Sequence, residues 1–160
     1  MTSDEMVWAA MEVAEEGIRQ GELPIGAVVF AGDEVVGRAF TRDSVGRLKH
    51  ADLLAMIEAD GQQVKGSLRL AVNLEPCLMC LGAAMSLGVR EICYGLSSPG
   101  DGAARIAASW EPGAGMGWYR APEMHGGIRA EEVREQFRRY CERAADTPLR
   151  KWANTLASGT

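Results

Sequence analysis

The feature that most constrains the fold of this 160-residue chain is a hairpin pattern over residues 24–40. The segment PIGAVVFAGDEVVGRAF holds two runs of strand-forming residues on either side of Gly32 and Asp33, which is typical of a β-hairpin. Two later segments, residues 68–73 and 90–96, also have strand character, and a helical pattern precedes each. Strands that alternate with helices predict a layered α/β domain, and the hairpin adds an antiparallel strand, so we predict a mixed sheet.

Helical patterns occupy most of the remaining chain. Thr2 and Glu5 form a capping-box pattern at the start of a first helix, for which Gly21 is a plausible stop. Further helices are predicted at about 50–60, from Pro76 onwards, at about 130–144 and at about 148–157, with a loop at 42–49. Residues 96–127 contain seven glycines and three prolines, so they predict a long irregular segment that is either functional or disordered. Because no repeat or linker is evident, we expect one domain over residues 1–160.

Charge and composition restrict the class of protein. The formal net charge is −5, so polynucleotide binding would need a local basic patch. The acidic N-terminus does not resemble a signal peptide, and no apolar run approaches membrane-spanning length, so we expect a cytoplasmic protein without membrane contact. In a reducing compartment, the Cys-x-x-Cys pair formed by Cys77 and Cys80 indicates metal or redox chemistry.

Three residues have the types and spacing of a zinc site. Cys77 and Cys80 lie one helical turn apart, near a helix N-terminus that favours thiolate, and His50 opens the preceding helix. Zinc usually has four ligands, so three protein ligands leave one coordination position open for water, which is the arrangement of catalytic zinc sites. A redox pair or a structural zinc half-site is the alternative, and a closed structural site would take its fourth ligand from Cys93, Cys141 or His125.

The two segments HAD (residues 50–52) and EPCLMC (residues 75–80) together carry a more specific pattern. They resemble the His-x-Glu and Pro-Cys-x-x-Cys signature of the zinc-dependent cytidine deaminase superfamily. Within it, residues 5–145 are most similar to bacterial tRNA adenosine deaminases and to small nucleobase and nucleoside deaminases. The resemblance implies a three-layer α/β/α fold around a mixed sheet of about five strands, one zinc ion per chain and a homodimer.

The same resemblance implies roles for individual residues. His50, Cys77 and Cys80 would bind zinc, and Asp52 would be the proton shuttle of a hydrolytic deamination. The substrate would be an amino-purine or amino-pyrimidine, as a free base or a nucleoside. Its predicted contacts are Thr41, the backbone amides of Ala51 and Cys77, and Pro76.

Two of these positions depart from the family pattern. Asp52 replaces a glutamate and is shorter by one methylene, and a misplacement on the order of 1 Å can cost about a hundredfold in rate. A backbone shift, a different substrate position or a catalytically silent protein would each accommodate this change, and we favour retained activity. Thr41 stands where relatives usually have an asparagine. Either Thr41 faces the pocket and the substrate is an unusual one, or Thr41 is a strand residue without a role in binding.

The aromatic residues of the irregular segment have two possible roles. Trp110, Trp118 and Tyr119 can stack on a planar base or anchor the segment to the core. The sequence thus predicts a nucleobase or nucleoside deaminase. The alternatives are a tRNA adenosine deaminase, a silent zinc-binding paralogue or partner subunit, and, less favoured, a redox protein.

Overall fold

The computed structural model describes residues 1–159. The expected domain of 1–160 therefore includes one residue, Thr160, that lies outside the described part. The elements in chain order are α1 (Ser3–Arg19), β1 (Gly26–Ala31), β2 (Glu34–Phe40), α2 (Ala51–Gly61), β3 (Leu68–Leu74), α3 (Leu78–Leu87), β4 (Val89–Leu96), α4 (Ala104–Ser109), β5 (Glu123–His125), α5 (Ala130–Arg143) and α6 (Pro148–Ser158).

The strands form one mixed five-stranded sheet in the order β2-β1-β3-β4-β5. Strand β1 runs antiparallel to both β2 and β3, whereas β3, β4 and β5 are mutually parallel. The hairpin turn falls at Gly32 and Asp33, between the paired residues Ala31 and Glu34. The predicted mixed sheet and its strand number are confirmed.

Helices cover both faces of the sheet and give the predicted three-layer α/β/α arrangement. Side chains alternate along β1, where Val28 and Phe30 pack with α1, α5 and α6, while Ala27 and Val29 pack with α2 and α3. All four of these β1 residues are buried. A strand that is apolar on both faces needs a helical layer on each, so the sequence of β1 itself requires three layers.

A buried polar network joins the layers near the start of β1. Asn73 at the end of β3 is fully buried, and its Oδ1 accepts a hydrogen bond from the Gly26 amide at 3.0 Å. Its Nδ2 donates to the Pro24 carbonyl at 2.8 Å and to Gln136 Oε1 at 3.0 Å. Gln136 in turn donates to the Met11 carbonyl on α1. These bonds fix the segment that leads into β1.

The structure differs from the sequence prediction in two places. Helix α3 begins at Leu78 with Cys77 as its N-cap, so it starts two residues after Pro76. The segment 96–127 is not irregular throughout, because it contains the short helix α4 and the edge strand β5. The high glycine content concealed these two short elements. None of the helices within residues 1–159 combines the length and apolar character needed to cross a lipid bilayer.

Candidate active site

The candidate active site lies where the N-termini of α2 and α3 meet, beside the carboxyl end of β3. His50 is the N-cap of α2 and Cys77 is the N-cap of α3, and both have an extended backbone. An N-cap side chain usually accepts a hydrogen bond from its own helix, but neither of these does so. Both side chains are therefore free to point at each other, in the positive field of two helix N-termini.

Three side chains form a compact group with the geometry of a zinc site. His50 Nδ1 lies 3.6 Å from Cys77 Sγ and 3.7 Å from Cys80 Sγ, and the three candidate ligand atoms all lie within 4.8 Å of one another. Tetrahedral zinc, with bonds of about 2.3 Å to sulfur and about 2.0 Å to nitrogen, would separate these atoms by about 3.6 Å. The donor set and its spacing therefore fit zinc.

The two thiols of this group differ in their protonation. The hydrogen bond with Cys80 is the main cause that lowers the pKa of Cys77 to about 4, and the His50 ring adds to the effect. The same thiol–thiol bond and burial raise the pKa of Cys80. The bond with Cys77 raises the pKa of His50. The lowered pKa of Cys77 favours its thiolate, which is the form that binds metals.

Asp52 places a carboxyl group against this ligand group. It lies in the first turn of α2, and only 4% of its surface is exposed. Its Oδ1 accepts hydrogen bonds from the Cys80 thiol at 3.0 Å and from the Leu53 amide at 3.2 Å. Burial is the main cause that raises the pKa of Asp52. A buried carboxyl group whose pKa is raised suits the uptake and return of a proton.

Thr41 and Ala51 form a hydrogen bond with each other. The Ala51 amide donates to Thr41 Oγ1 at 3.1 Å, and both residues are buried. The resemblance assigns the Ala51 amide to a contact with the edge of the substrate base, but in the structure this amide already donates its hydrogen bond to Thr41. Thr41 lines the cavity described below, and its hydroxyl hydrogen remains free to be donated.

A cavity of about 200 Å³ opens onto the ligand group. A larger groove of about 960 Å³ lies elsewhere, against α1 and α5, and includes none of the candidate ligands. The smaller cavity is the candidate substrate site because it combines the metal ligands with the buried acid. Its lining consists of Leu23, Ile25, Thr41, His50, Asp52, Val72, Leu74, Glu75, Cys77, Asp101, Leu149 and Trp152.

Eight of these twelve lining residues are absent from the sequence-based site prediction, and four of the eight are Glu75, Asp101, Leu149 and Trp152. Leu149 and Trp152 come from α6, and Asp101 lies in the segment before α4. Glu75 holds that segment, because its carboxylate accepts hydrogen bonds from the Ser98 amide at 2.9 Å and the Ala104 amide at 3.0 Å. The sequence carries a signal only for Glu75, which stands inside EPCLMC.

The other predicted site residues lie outside the cavity lining. Pro76 is buried, and its carbonyl accepts a hydrogen bond from the Ala103 amide at 2.9 Å. Tyr119 contacts the rings of Trp110 and Trp118 edge-on, with centroids 5.6 Å and 5.7 Å apart, and its side chain packs beside the cluster of α3 and α4. These contacts support the anchoring interpretation, and the base-stacking role stays a prediction.

Among residues 1–159, no fourth protein ligand accompanies the group. In residues 1–159, the one cluster with metal-binding geometry consists of His50, Cys77 and Cys80. Cys93 is buried in the core, and His125 lies next to Glu91 and Glu123 instead. A three-ligand set leaves a zinc position open, as catalytic sites do.

Comparison with known proteins identifies the family. Residues 1–96 match the model of the cytidine and deoxycytidylate deaminase zinc-binding region. The chain is 37% identical over 163 residues to a tRNA(Ile)-lysidine synthase of Deinococcus radiodurans, covering 92% of this chain but only 27% of that protein. It is 36% identical over 110 residues to a tRNA-specific adenosine deaminase of Bacillus subtilis, covering 64% of this chain and 67% of that protein.

A solved structure from studies of A-to-I editing by tRNA:A34 deaminases at the wobble position of transfer RNA has the same fold. Its TM-score is 0.71 at 26% identity, and the match covers 82% of this chain and 98% of that chain. The family model includes His50, Cys77 and Cys80 in its zinc-binding region and ends with β4. The chain belongs to the cytidine and deoxycytidylate deaminase zinc-binding family.

Proposed function

We propose that the protein is a zinc-dependent hydrolytic deaminase that acts on an amino-substituted purine or pyrimidine, as a free base or a nucleoside. The observation that carries this proposal is the buried Asp52 carboxyl group, 3.0 Å from Cys80 and in one cavity with His50 and Cys77. Hydrolytic deamination replaces the exocyclic amino group with a carbonyl group and releases ammonia. It needs an acid–base group at the activated water, and Asp52 has that position.

His50, Cys77 and Cys80 would hold the zinc ion. When bound, zinc supplies a Lewis acid that lowers the pKa of a water molecule from 15.7 to about 7. The carboxylate of Asp52 would take up a proton from the attacking water, return it to a ring nitrogen of the substrate, and assist the departure of the amino group as ammonia. Burial supports this cycle because it makes the neutral and charged forms of Asp52 closer in free energy.

The length of the Asp52 side chain is compatible with activity. Its carboxylate already contacts the sulfur of Cys80, so aspartate reaches the edge of the ligand group without a longer side chain. This proximity of an acid to a zinc ligand supports a working acid, although the Cys80 thiol would lose the hydrogen that it donates when it binds zinc. We assign Thr41 as a substrate contact, because it lines the cavity and a hydroxyl that accepts one hydrogen bond can donate another to an acceptor on the base.

Adenosine in tRNA is the second candidate substrate. The Bacillus subtilis relative is a tRNA-specific adenosine deaminase and the solved structure concerns tRNA:A34 deaminases, and both likenesses support this substrate. Exposed Arg47 and Lys49 lie in the loop that joins Thr41 to His50, so this loop offers two cationic side chains despite the net charge of −5.

The test is ammonia release by zinc-loaded protein from a panel of amino-purines, amino-pyrimidines, their nucleosides and an anticodon stem-loop. We expect release from at least one member, and loss of that release in Asp52→Ala but not in Glu111→Ala, an exposed acid in the segment after α4. Conversion of adenosine to inosine in the stem-loop alone would decide for the tRNA substrate. A protein that retains zinc, releases no ammonia and co-purifies with a stable partner would instead be the silent subunit.

We propose that residues 1–159 form one domain and that two copies form a homodimer. Ile57 on α2 is 60% exposed, and a groove between α2 and α3 is lined by Leu53, Met56, Ala83 and Leu87. An exposed apolar surface of this kind favours self-association. Light scattering should give twice the chain mass, and Ile57→Asp should give the mass of one chain.

We also propose a cytoplasmic location. Both Cys77 and Cys80 must stay reduced to bind zinc, and the cytoplasm maintains reduced thiols. Cell fractionation tests this proposal, and recovery from an oxidising compartment would contradict it.

A further inference from the structure

The candidate substrate cavity has a solvent-facing wall that the family motif does not include. Leu149 is 42% exposed and Asp101 is also exposed, whereas Val72 and Asp52 of the same lining are buried. We propose that Leu149, Trp152 and Asp101 form a selectivity wall that admits an uncharged nucleobase or nucleoside and excludes free 5′-nucleotides. This inference rests on the proposed function, since it names the substrate class of the same site.

The charge of the lining opposes a phosphate group. The lining includes the carboxyl groups of Asp52, Glu75 and Asp101, and it contains no lysine or arginine within the described chain. Phosphate sites in proteins use arginine, lysine or free backbone amides at a helix start. Outside the metal-ligand group, a phosphate dianion would approach the carboxyl groups of Glu75 and Asp101 without a lysine or arginine of the lining to pair with, which is a repulsive contact that selects against it.

The backbone amides that could have bound a phosphate are already occupied. The segment 98–104 leads into α4 and directs the amides of Ser98 and Ala104 to one point, but the Glu75 carboxylate accepts both hydrogen bonds. The space around this carboxylate is closed, because a side chain at Gly102 would meet its carboxyl carbon at 2.3 Å. The Glu75 carboxylate therefore occupies the position in which a bound phosphate would accept these two hydrogen bonds.

Helix α6 holds the apolar part of the wall in a fixed position. The ring of Trp152 contacts Phe137 edge-on, with centroids 6.2 Å apart, and Phe137 is fully buried. Arg150 Nε donates to the Cys141 carbonyl at 2.9 Å, which fastens the start of α6 to the end of α5. An apolar surface held in this way can contact the face of a planar base, and it makes the desolvation of a phosphate costly.

The size of the cavity agrees with a small ligand. Its volume of about 200 Å³ lies below the roughly 300 Å³ at which pockets for drug-sized ligands begin. One ring system with a part-exposed sugar fits this space better than a nucleotide whose phosphate must also pass the wall.

Zinc-loaded protein tests the proposal through equilibrium binding by calorimetry and, separately, ammonia release. The probes are adenine, cytosine and guanine, their ribonucleosides, and AMP, CMP and GMP. We expect the tightest uncharged probe to bind at least tenfold more tightly than its 5′-monophosphate. Asp101→Asn should narrow this ratio at least threefold, and the asparagine Oδ1 can still accept the hydrogen bond that Ser98 Oγ donates at 2.5 Å.

Two matched controls separate the wall from general effects. Glu34→Gln removes one exposed charge at the hairpin end of β2, and Leu48→Ala truncates an exposed leucine outside the cavity lining. Both should leave the ratio unchanged, whereas Leu149→Ala should weaken the uncharged probe severalfold without loss of zinc.

Equal or tighter binding of a monophosphate by the wild-type protein would overturn the proposal. Failure of every probe to bind, or an unchanged ratio in Asp101→Asn, would overturn it as well. Binding with the expected ratio but without ammonia release would contradict the proposed deaminase activity and leave the selectivity wall standing, so the two failures can be told apart.

Discussion

The buried amide of Asn73 should be among the most important single groups for the stability of this fold. Asn73→Ala removes three hydrogen bonds, with the Gly26 amide, the Pro24 carbonyl and Gln136 Oε1. The two backbone groups cannot move to new partners easily, because a Cβ at Gly26 would lie 2.3 Å from the backbone of α1. The start of β1 therefore packs directly on α1 and has no room to shift.

The expected loss follows from the groups left without partners. A buried polar group that loses its partner costs about 1–3 kcal/mol, so two fixed backbone groups cost about 2–6 kcal/mol and we expect roughly 4 kcal/mol. For a chain of this size, 1 kcal/mol corresponds to about 2–4 °C in Tm, which predicts a fall of roughly 8–16 °C. A water molecule that occupies the space left by the Asn73 side chain would bring the loss of stability towards about 2 kcal/mol, the lower end of this range.

Urea denaturation at constant, saturating zinc is the appropriate assay, because bound metal contributes to the apparent stability. Asn154→Ala is the matched control: Asn154 is the other asparagine of the chain, it is exposed on α6, and its change should stay within about 0.5 kcal/mol. A double-mutant cycle with Gln136→Ala should give a coupling energy of about 0.5–3 kcal/mol. A loss below about 1 kcal/mol in Asn73→Ala would refute the reasoning.

Three further predictions concern the site and the pH dependence of stability. Asp52→Asn should lower the rate of ammonia release by about 10²–10⁴-fold. The zinc content, measured by atomic absorption, should stay at one ion per chain, and full activity of this variant would exclude an acid–base role for Asp52. Cys77→Ala should lose stoichiometric zinc, whereas Cys141→Ala, in α5, should retain it; equal zinc contents would contradict the ligand assignment. The hydrogen bond from Arg139 is the main cause that lowers the pKa of Glu15 below its ordinary value of 4.5. The ionised Glu15 carboxylate therefore stabilises the fold at pH values above 4.5, and this stabilisation is lost as the pH falls through the lowered pKa. Acid denaturation should therefore be shallower in Glu15→Gln, and identical pH profiles would show that this pair does not contribute.

The sheet was predictable because its strands have simple local patterns. The turn residues Gly32 and Asp33 stand between two runs of strand formers, so the hairpin and the mixed sheet follow from short-range rules, whereas the three layers were expected from the family resemblance. The short helix α4 and strand β5 were missed because their six and three residues are too few for a periodic pattern among seven glycines.

The ligand group was predictable for a different reason. His50, Cys77 and Cys80 have side chains whose metal chemistry is specific, and two helix starts bring them together. Leu149 and Trp152 carry no such signal, since apolar residues at helical spacing usually belong to a core. Their place in the cavity depends on how α6 packs on α5, which is a long-range contact that no local pattern encodes.

The two departures from the family pattern belong to one local arrangement in the structure. Thr41 accepts the hydrogen bond of the Ala51 amide, and Ala51 is the residue before Asp52 in the first turn of α2. The threonine thereby fixes the backbone from which the shorter acid reaches Cys80 at 3.0 Å. A glutamate on the same backbone would carry its carboxylate one bond further out, so the position of this backbone decides which acid reaches the ligand group. We therefore expect the effects of changing Asp52 and Thr41 on the rate of ammonia release to depend on each other, which a double-mutant cycle would measure.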